Sequence, residues 1–414
     1  MKLLFLSFTI LCGFLIADLS AEVTVTTDFE GGSAEVVGIA AGGRQIIVKP
    51  KVVFGRGWPC WWYFRVDGLS PQQAYTVTIQ SATNIYREDD VLASQWAWPD
   101  SAAISFDNQQ WNRTEPGERT ETGMTYTFTA TGERAWLAWG PPFLASTAEA
   151  ALKNAKSKVP EAEIFVLAET RHEREVKGIR FGAISEGKEK PFGIWVQARQ
   201  HAWESGGSWV GLGFLNWATS DALEAVSLRE KAIIHFIPIM DVDNVTEGAG
   251  GKNAIPRDHN RDWDKSPVYP EVQAAQHKMR ELNADGTFDL YVDLHNPGAS
   301  EKDVYFFGPD LQQLSDDQRR NYNRLQHLAV THIPKMKKDY QFPSYVRDQE
   351  EFDRMSASWV KNHTAPHVVA VTLETGWNRP EGTQEGYQKI GEQLGRAICG
   401  YFQENPRENG SRVD

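Results

Sequence analysis

Cysteine is scarce in this chain. Only three of the 414 residues are Cys, and one of them, Cys12, falls in the apolar N-terminal stretch. Cys60 and Cys399 lie too far apart in sequence to form a disulfide framework, so a small loop-stapled fold is excluded. Free buried thiols are expected, and a Cys nucleophile has little support beyond the presence of these residues. Excess positive charge is missing as well: 43 Lys and Arg against 55 Asp and Glu leave a net charge of -12. No broad basic face is available for a nucleic-acid backbone, although one basic pocket can sit inside an acidic protein. The chain also lacks low-complexity tracts and internal repeats, and after its first residues no run is apolar enough to cross a bilayer.

Those first residues differ from the rest. Met1-Lys2 precede an apolar run from Leu3 to Ile16, followed by Ala17 and Leu19-Ser20-Ala21. A basic start, a short hydrophobic region and small residues near a cleavage point read as a secretory signal over 1–21. The run falls short of the roughly 20 residues that span a bilayer. The expectation is an exported protein, periplasmic or secreted, free of the membrane after cleavage.

The length implies two domains. From 22 to about 150 the runs Arg44–Val53, Trp61–Val66, Ala74–Ile79, Met124–Ala130 and Arg134–Trp139 are β-branched and aromatic, with Gly, Pro, Asp and Asn turns between them. This predicts an all-β sandwich. It holds eight of the fifteen Trp residues, expected mainly as core. Thr147–Pro160 reads as a connection. Over 155–404, apolar runs (Glu163–Ala168, Phe192–Ala198, Ala232–Met240, Phe288–Leu294, His367–Leu373) alternate with helical segments (Gly207–Val226, Pro270–Asn283, Asp316–His332, Gln384–Gln403). That alternation predicts an α/β domain with a mixed, mostly parallel sheet. The polar tail, 405–414, is expected to fray.

His-x-x-Glu occurs twice, and on the order of one match arises by chance. His172 lies in the charged run Arg171–Glu175, which reads as a solvated turn. His201 follows the strand Phe192–Ala198 and precedes Ser205-Gly206-Gly207-Ser208, a strand-to-helix junction of the kind where α/β domains build sites. A catalytic zinc takes three protein ligands and leaves one position open. His201 and Glu204 supply two, and His295, at the end of a strand before Asn296-Pro297-Gly298, is the best third. Glu374 ends the buried run Val368–Leu373 and is the natural proton acceptor for zinc-bound water. Asp258-His259-Asn260-Arg261-Asp262-Trp263 gathers polar groups in one loop, where Arg261 and Asn260 suit a carboxylate.

These segments resemble the zinc carboxypeptidases of the carboxypeptidase A type, and among them the cytosolic-carboxypeptidase-like group with its N-terminal β domain. Ala198–Phe214 is similar to that group's Ala-Arg-x-His-Pro-Gly-Glu-Ser-x-x-Ser-Trp-Val-x-x-Gly-Phe. Pro238–Trp263 is similar to its Pro-Met-x-Asn-Pro-Asp-Gly-Val … Asp-Leu-Asn-Arg-x-Trp, with the Val245 to Arg261 spacing kept. Asp293-Leu294-His295 with Ser300 and Gly308 resembles its Asp-x-His-Gly-His-Ser … Gly, and Trp61–Val66 resembles its β domain. The resemblance implies an α/β/α domain with eight mixed strands and one zinc per chain on His201, Glu204 and His295. It further implies that Asp258 holds the His201 ring, that Asn260 and Arg261 bind a terminal carboxylate, and that Glu374 is general base and then acid. The substrate implied is a peptide or amide with a free carboxylate, cleaved at a C-terminal peptide or isopeptide-like bond.

Four departures stand out. Ala202-Trp203 replace Pro-Gly beside the metal, and His259 replaces Leu. The family's oxyanion Arg falls at Gly251, leaving Lys252 or Arg257 for that role, and its active-site Tyr has Tyr345 as a loose candidate. Two other functions compete: a zinc amidohydrolase (a deacylase or a cell-wall peptide amidase), and an inactive protein that binds through the Trp-rich β domain.

Overall fold

The computed structural model describes residues 22–80, 84–87, 90–183, 190–343, 345–346 and 348–408. The expected signal segment, 1–21, lies outside them. Among the described residues no helix is long and apolar enough to cross a membrane.

The N-terminal region is built of two five-stranded sheets. Alternation drives them together. Along Ala74–Gln80 every second side chain, Tyr75, Val77 and Ile79, is buried, and along Gly123–Thr129 Tyr126 and Phe128 point the same way. The aromatic core joins the two sheets, with Trp62 6.0 Å from Tyr126. Six of the eight Trp residues here are buried, as expected of a core; Trp58 and Trp96 are half-buried and face the second domain. Cys60 and Cys399 are free and buried.

The second domain holds a seven-stranded sheet in the order Glu163–Glu169, Glu175–Gly182, Ala232–Ile237, Phe192–Ala198, Leu290–His295, Val369–Thr375, Val304–Phe307. The four strands Ala232–Ile237, Phe192–Ala198, Leu290–His295 and Val369–Thr375 run parallel, and the edge pairings are antiparallel. The parallel strands are buried on both faces, which is why they read as unbroken apolar runs. The sheet is thus mixed but has seven strands among the described residues, not eight. At the Val304–Phe307 edge, where another strand would add, the chain touches the sheet only through isolated bridges of Met336 to Val304 and Gln341 to Phe307. No continuous ladder forms there.

Three further expectations are corrected. Residues 147–160 are not a loose connection: a helix, Ala145–Lys158, buries Ala148, Ala151, Leu152 and Ala155 and crosses the expected domain boundary. The segment expected as one helix over 207–226 is two, Ser205–Ala218 and Leu223–Lys231. The tail does not fray at once, since Arg407 grips the buried Asp289 carboxylate with two contacts of 2.6 Å. Residues 409–414 lie outside the described set.

Candidate metal centre

The strand Phe192–Ala198 ends at the sheet's carboxyl edge, and Arg199 then turns the chain through a positive φ of 65°. The Arg199 guanidinium is buried and donates to the carbonyls of Ala202 and Phe143, which braces the turn holding His201 and Glu204. The helix Ser205–Ala218 starts immediately afterwards, so close to the neighbouring strand that a Cβ at Gly207 would lie 2.7 Å from the Leu294 carbonyl oxygen. That approach brings Glu204 to His295. Among the described residues His201, Glu204 and His295 form the one group of three metal-binding side chains, their ligand atoms within 4.8 Å of one another and all buried.

Each imidazole is held on both sides. His201 Nδ1 lies 2.7 Å from Glu204 Oε1, and its Nε2 lies 2.9 Å from Asp258 Oδ1. His295 Nδ1 lies 2.8 Å from Glu204 Oε2, and its Nε2 lies 3.0 Å from Asp293 Oδ2. With each Nε2 proton given to an aspartate, both Nδ1 lone pairs face the shared point beside Glu204. Two nitrogens and a carboxylate oxygen on one side of a cavity are the donor set of a catalytic zinc, with the cavity side left open.

Among the protein's own groups, the balance of charges is set by burial and by the neighbouring rings. Burial alone would raise the Glu204 carboxyl, but the His201 and His295 rings hold it well below the ordinary carboxylate range. Burial likewise opposes ionisation of Asp258, and His201 with Lys252 outweighs it. Glu374 is the exception: burial pushes its carboxyl up to about 8, against the pull of His295. It lies within the strand Val369–Thr375, in register between His295 and Tyr305, and its buried Oε2 has no hydrogen-bond partner among the described residues.

Both metal-binding loops, Glu374 and the 252–261 loop line one cavity of about 910 Å³. Asn260 is buried and accepts from the Ser356 amide at 2.9 Å; Arg261 pairs with Glu351 at 3.0 Å. Tyr345 is 55% exposed at the cavity mouth, against Phe307. The two cations left open by the sequence differ sharply. Lys252 Nζ stands 3.3 Å from His201 Nε2 and 3.6 Å from Asp258 Oδ2, whereas Arg257 is held by Asp262 at 3.3 Å and Asp264 at 2.5 Å. Gly251 has φ +78°, and a Cβ there would lie 2.5 Å from Asp241 Oδ2 and 2.7 Å from the Ala202 nitrogen, so no side chain fits. His172 stays at the surface with Arg56 and Glu247, away from the other donors.

Sequence reasoning assigned nothing to two residues that matter here. Asp293 holds the second imidazole. Asn296 donates from its backbone to Glu204 at 3.2 Å, accepts from the Gly207 amide at 2.7 Å, and donates to the Thr375 carbonyl at 2.6 Å. It ties the metal loop, the helix start and the Glu374 strand together. The only sequence signals were their places, two before and one after a candidate ligand.

A family model described as the N-terminal domain of cytosolic carboxypeptidases matches residues 25–139, and one described as zinc carboxypeptidase matches residues 148–388. The chain is 25% identical over 358 residues to an uncharacterized protein of Zymomonas mobilis, covering 84% of this chain and 86% of that protein. It is 25% identical over 315 residues to human cytosolic carboxypeptidase 1, covering 67% of this chain but only 26% of that larger protein. In fold it is similar to a metallo-carboxypeptidase from Burkholderia cenocepacia (TM-score 0.79, 19% identity, 92% of this chain and 99% of that one). It is also similar to one from Pseudomonas aeruginosa, solved in complex with (2-guanidinoethylmercapto)succinic acid (TM-score 0.75, 19% identity, 91% and 98%). The chain therefore belongs to the zinc carboxypeptidase family and carries the N-terminal domain of the cytosolic carboxypeptidases.

Proposed function

We propose that the chain removes the terminal residue from a peptide, or cleaves an isopeptide-like amide, where the leaving part bears a free carboxylate. One observation carries this reading: the His201, Glu204 and His295 donors, Glu374 and Arg261 all face the same cavity. Zinc, when bound by those three residues, would polarise the scissile carbonyl and make water a usable nucleophile near neutral pH.

The rest falls to the chain's own side chains. Asp258 and Asp293 keep the two rings in the tautomer that offers Nδ1. Glu374, with a free oxygen and a carboxyl raised by burial, takes a proton from the attacking water and returns it to the leaving nitrogen; a dication in the site would lower that pKa. Arg261 and Asn260 bind the terminal carboxylate. Lys252 faces the charge that develops on the carbonyl oxygen, while Arg257 serves to hold its own loop through Asp262 and Asp264. Export is proposed from the pattern of residues 1–21 alone, and it would make the substrate an extracytoplasmic one.

The test is direct. Purified protein should contain about one zinc per chain and should cleave peptides with a free C-terminus in preference to the same peptides amidated. Equal cleavage of both would remove the carboxylate clasp and favour a general amidohydrolase. A protein that cannot be loaded with zinc would overturn the reading altogether.

A further inference from the structure

We propose that Trp58 and Trp96 of the β domain form a subsite for an aromatic or large aliphatic side chain on the residue just before the scissile bond. This rests on the carboxypeptidase reading above.

The two indoles are the half-buried tryptophans of that domain, and both line the cavity that His201, Glu204 and His295 also line. Their ring centroids are 4.5 Å apart with planes tilted by 53°. Each also meets Trp203, the residue beside Glu204, at 6.4 and 6.2 Å. On the other flank Trp96 lies over the loop after His295, close enough that a Cβ at Gly298 would be 3.2 Å from its ring. The pair therefore stands between the two loops that carry the metal donors. Arg261 reaches towards a different wall, made by Tyr345 and Glu351. We read a substrate whose carboxylate lies on Arg261 and whose carbonyl lies beside the metal-binding side chains as sending its preceding residue towards the indoles.

The chemistry of that wall is narrow. Trp58 and Trp203 bury their indole nitrogens, with no partner among the described residues, so these two rings present carbon to the cavity. Lys252 Nζ sits 5.7 Å over the Trp58 ring, so a basic side chain would meet like charge. The indole carbon faces suit an uncharged apolar or aromatic group.

The placement is also fixed by backbone. The Trp58 amide donates to the Lys252 carbonyl at 2.9 Å, the Gly251 amide to Arg56 at 3.0 Å and the Ile255 amide to Gly55 at 2.8 Å. This zipper binds the β domain to the loop that carries Lys252 and holds Trp58 beside that loop.

The experiment uses the zinc-loaded full chain and N-blocked peptides that share one C-terminal residue but carry Phe, Gly or Lys before it. Phe should exceed Gly in kcat/KM by about tenfold or more, with Lys no better than Gly. Trp96→Ala should bring the Phe-to-Gly ratio towards one, and Trp96→Phe should keep most of it. The same ratio should appear in Kd on Glu374→Gln, read by tryptophan fluorescence. Cleavage with a Phe-to-Gly ratio near one in the wild-type chain overturns the subsite but leaves the carboxypeptidase reading standing. So does a Trp96→Ala chain, melting like wild type, that loses activity on both peptides equally. No cleavage of any peptide overturns both.

Discussion

Asp293 and His295 lie two residues apart on one strand, with the imidazole Nε2 3.0 Å from the aspartate Oδ2. Side chains alternate along a strand, so i and i+2 share a face and the carboxylate meets the ring without help from any loop. Ser356 Oγ donates to the same oxygen at 2.6 Å, and the Gln200 amide donates there too. The aspartate is thus fixed before it fixes the histidine. Asp293→Ala should lower zinc affinity by about 10–100-fold, measured by competition with a chelator. Unchanged affinity would reduce Asp293 to a packing residue.

Glu374→Gln keeps the shape of the side chain and removes its ability to accept a proton. Zinc content should be unchanged while turnover falls by roughly 10²–10⁴-fold. Because burial already holds this carboxyl up to about 8, a neutral amide suits the site and the melting temperature should not fall. Retained turnover would remove Glu374 as the base.

Arg261→Ala tests the carboxylate clasp. A hydrogen bond to a charged group is worth about 1.5–3 kcal/mol, so kcat/KM on free-acid peptides should drop about 10–100-fold. Amidated peptides, which lack the charge, should lose little. Equal losses on both would point to collapse of the 258–263 loop instead.

How much of this was legible depended on whether the signal was local. The parallel strands were readable because burial on both faces makes Phe192–Ala198 and Leu290–His295 apolar from end to end. His201 and Glu204 sit three apart at a strand end, and a short motif survives in one dimension. The helix Ala145–Lys158 was missed because its buried stripe is mostly alanine, which carries the right spacing but little hydrophobic contrast. Trp58 and Trp96 belong to the site through contacts with residues more than 100 positions away, Trp203 among them, and nothing in their neighbourhood announces it. The choice between Lys252 and Arg257 also needed three dimensions, since it turned on Asp262 and Asp264 occupying one of them.

His259, which replaces a leucine of the family pattern, is buried against Asp241 and Glu271 and stacks on Tyr269 with centroids 3.7 Å apart. Burial opposes its charge, but Asp241, then Glu271 and Asp258, raise its pKa from 6.5 to about 9. The protonated ring therefore stabilises the fold fully below about pH 6.5, and that contribution drains away as pH rises through about 9. The amount at stake is at most about 3 kcal/mol. The melting temperature of the wild-type chain should fall towards that of His259→Gln between these two pH values. Parallel curves for the two chains would show that His259 is neutral when folded.

Gly251 is where the family's oxyanion arginine would fall, so Gly251→Arg is the obvious repair, and it should fail. The residue sits at φ +78°, a region that costs a side-chain-bearing residue about 1–3 kcal/mol. Its Cβ would lie 2.5 Å from Asp241 Oδ2 and 2.7 Å from the Ala202 nitrogen, both in structure that cannot easily move: Asp241 caps the helix Val242–Glu247, and Ala202 belongs to the metal loop. Gly57 packs on the same backbone from the β domain, closing the remaining side. Crowding adds about 1–3 kcal/mol more, so the variant should melt several degrees lower and bind zinc less well. Lys252→Ala makes the contrasting case, with the fold kept and turnover lost by about 10²–10³-fold. Gly251→Arg protein that melts like wild type and turns over faster would move the missing cation to position 251 and take the role from Lys252.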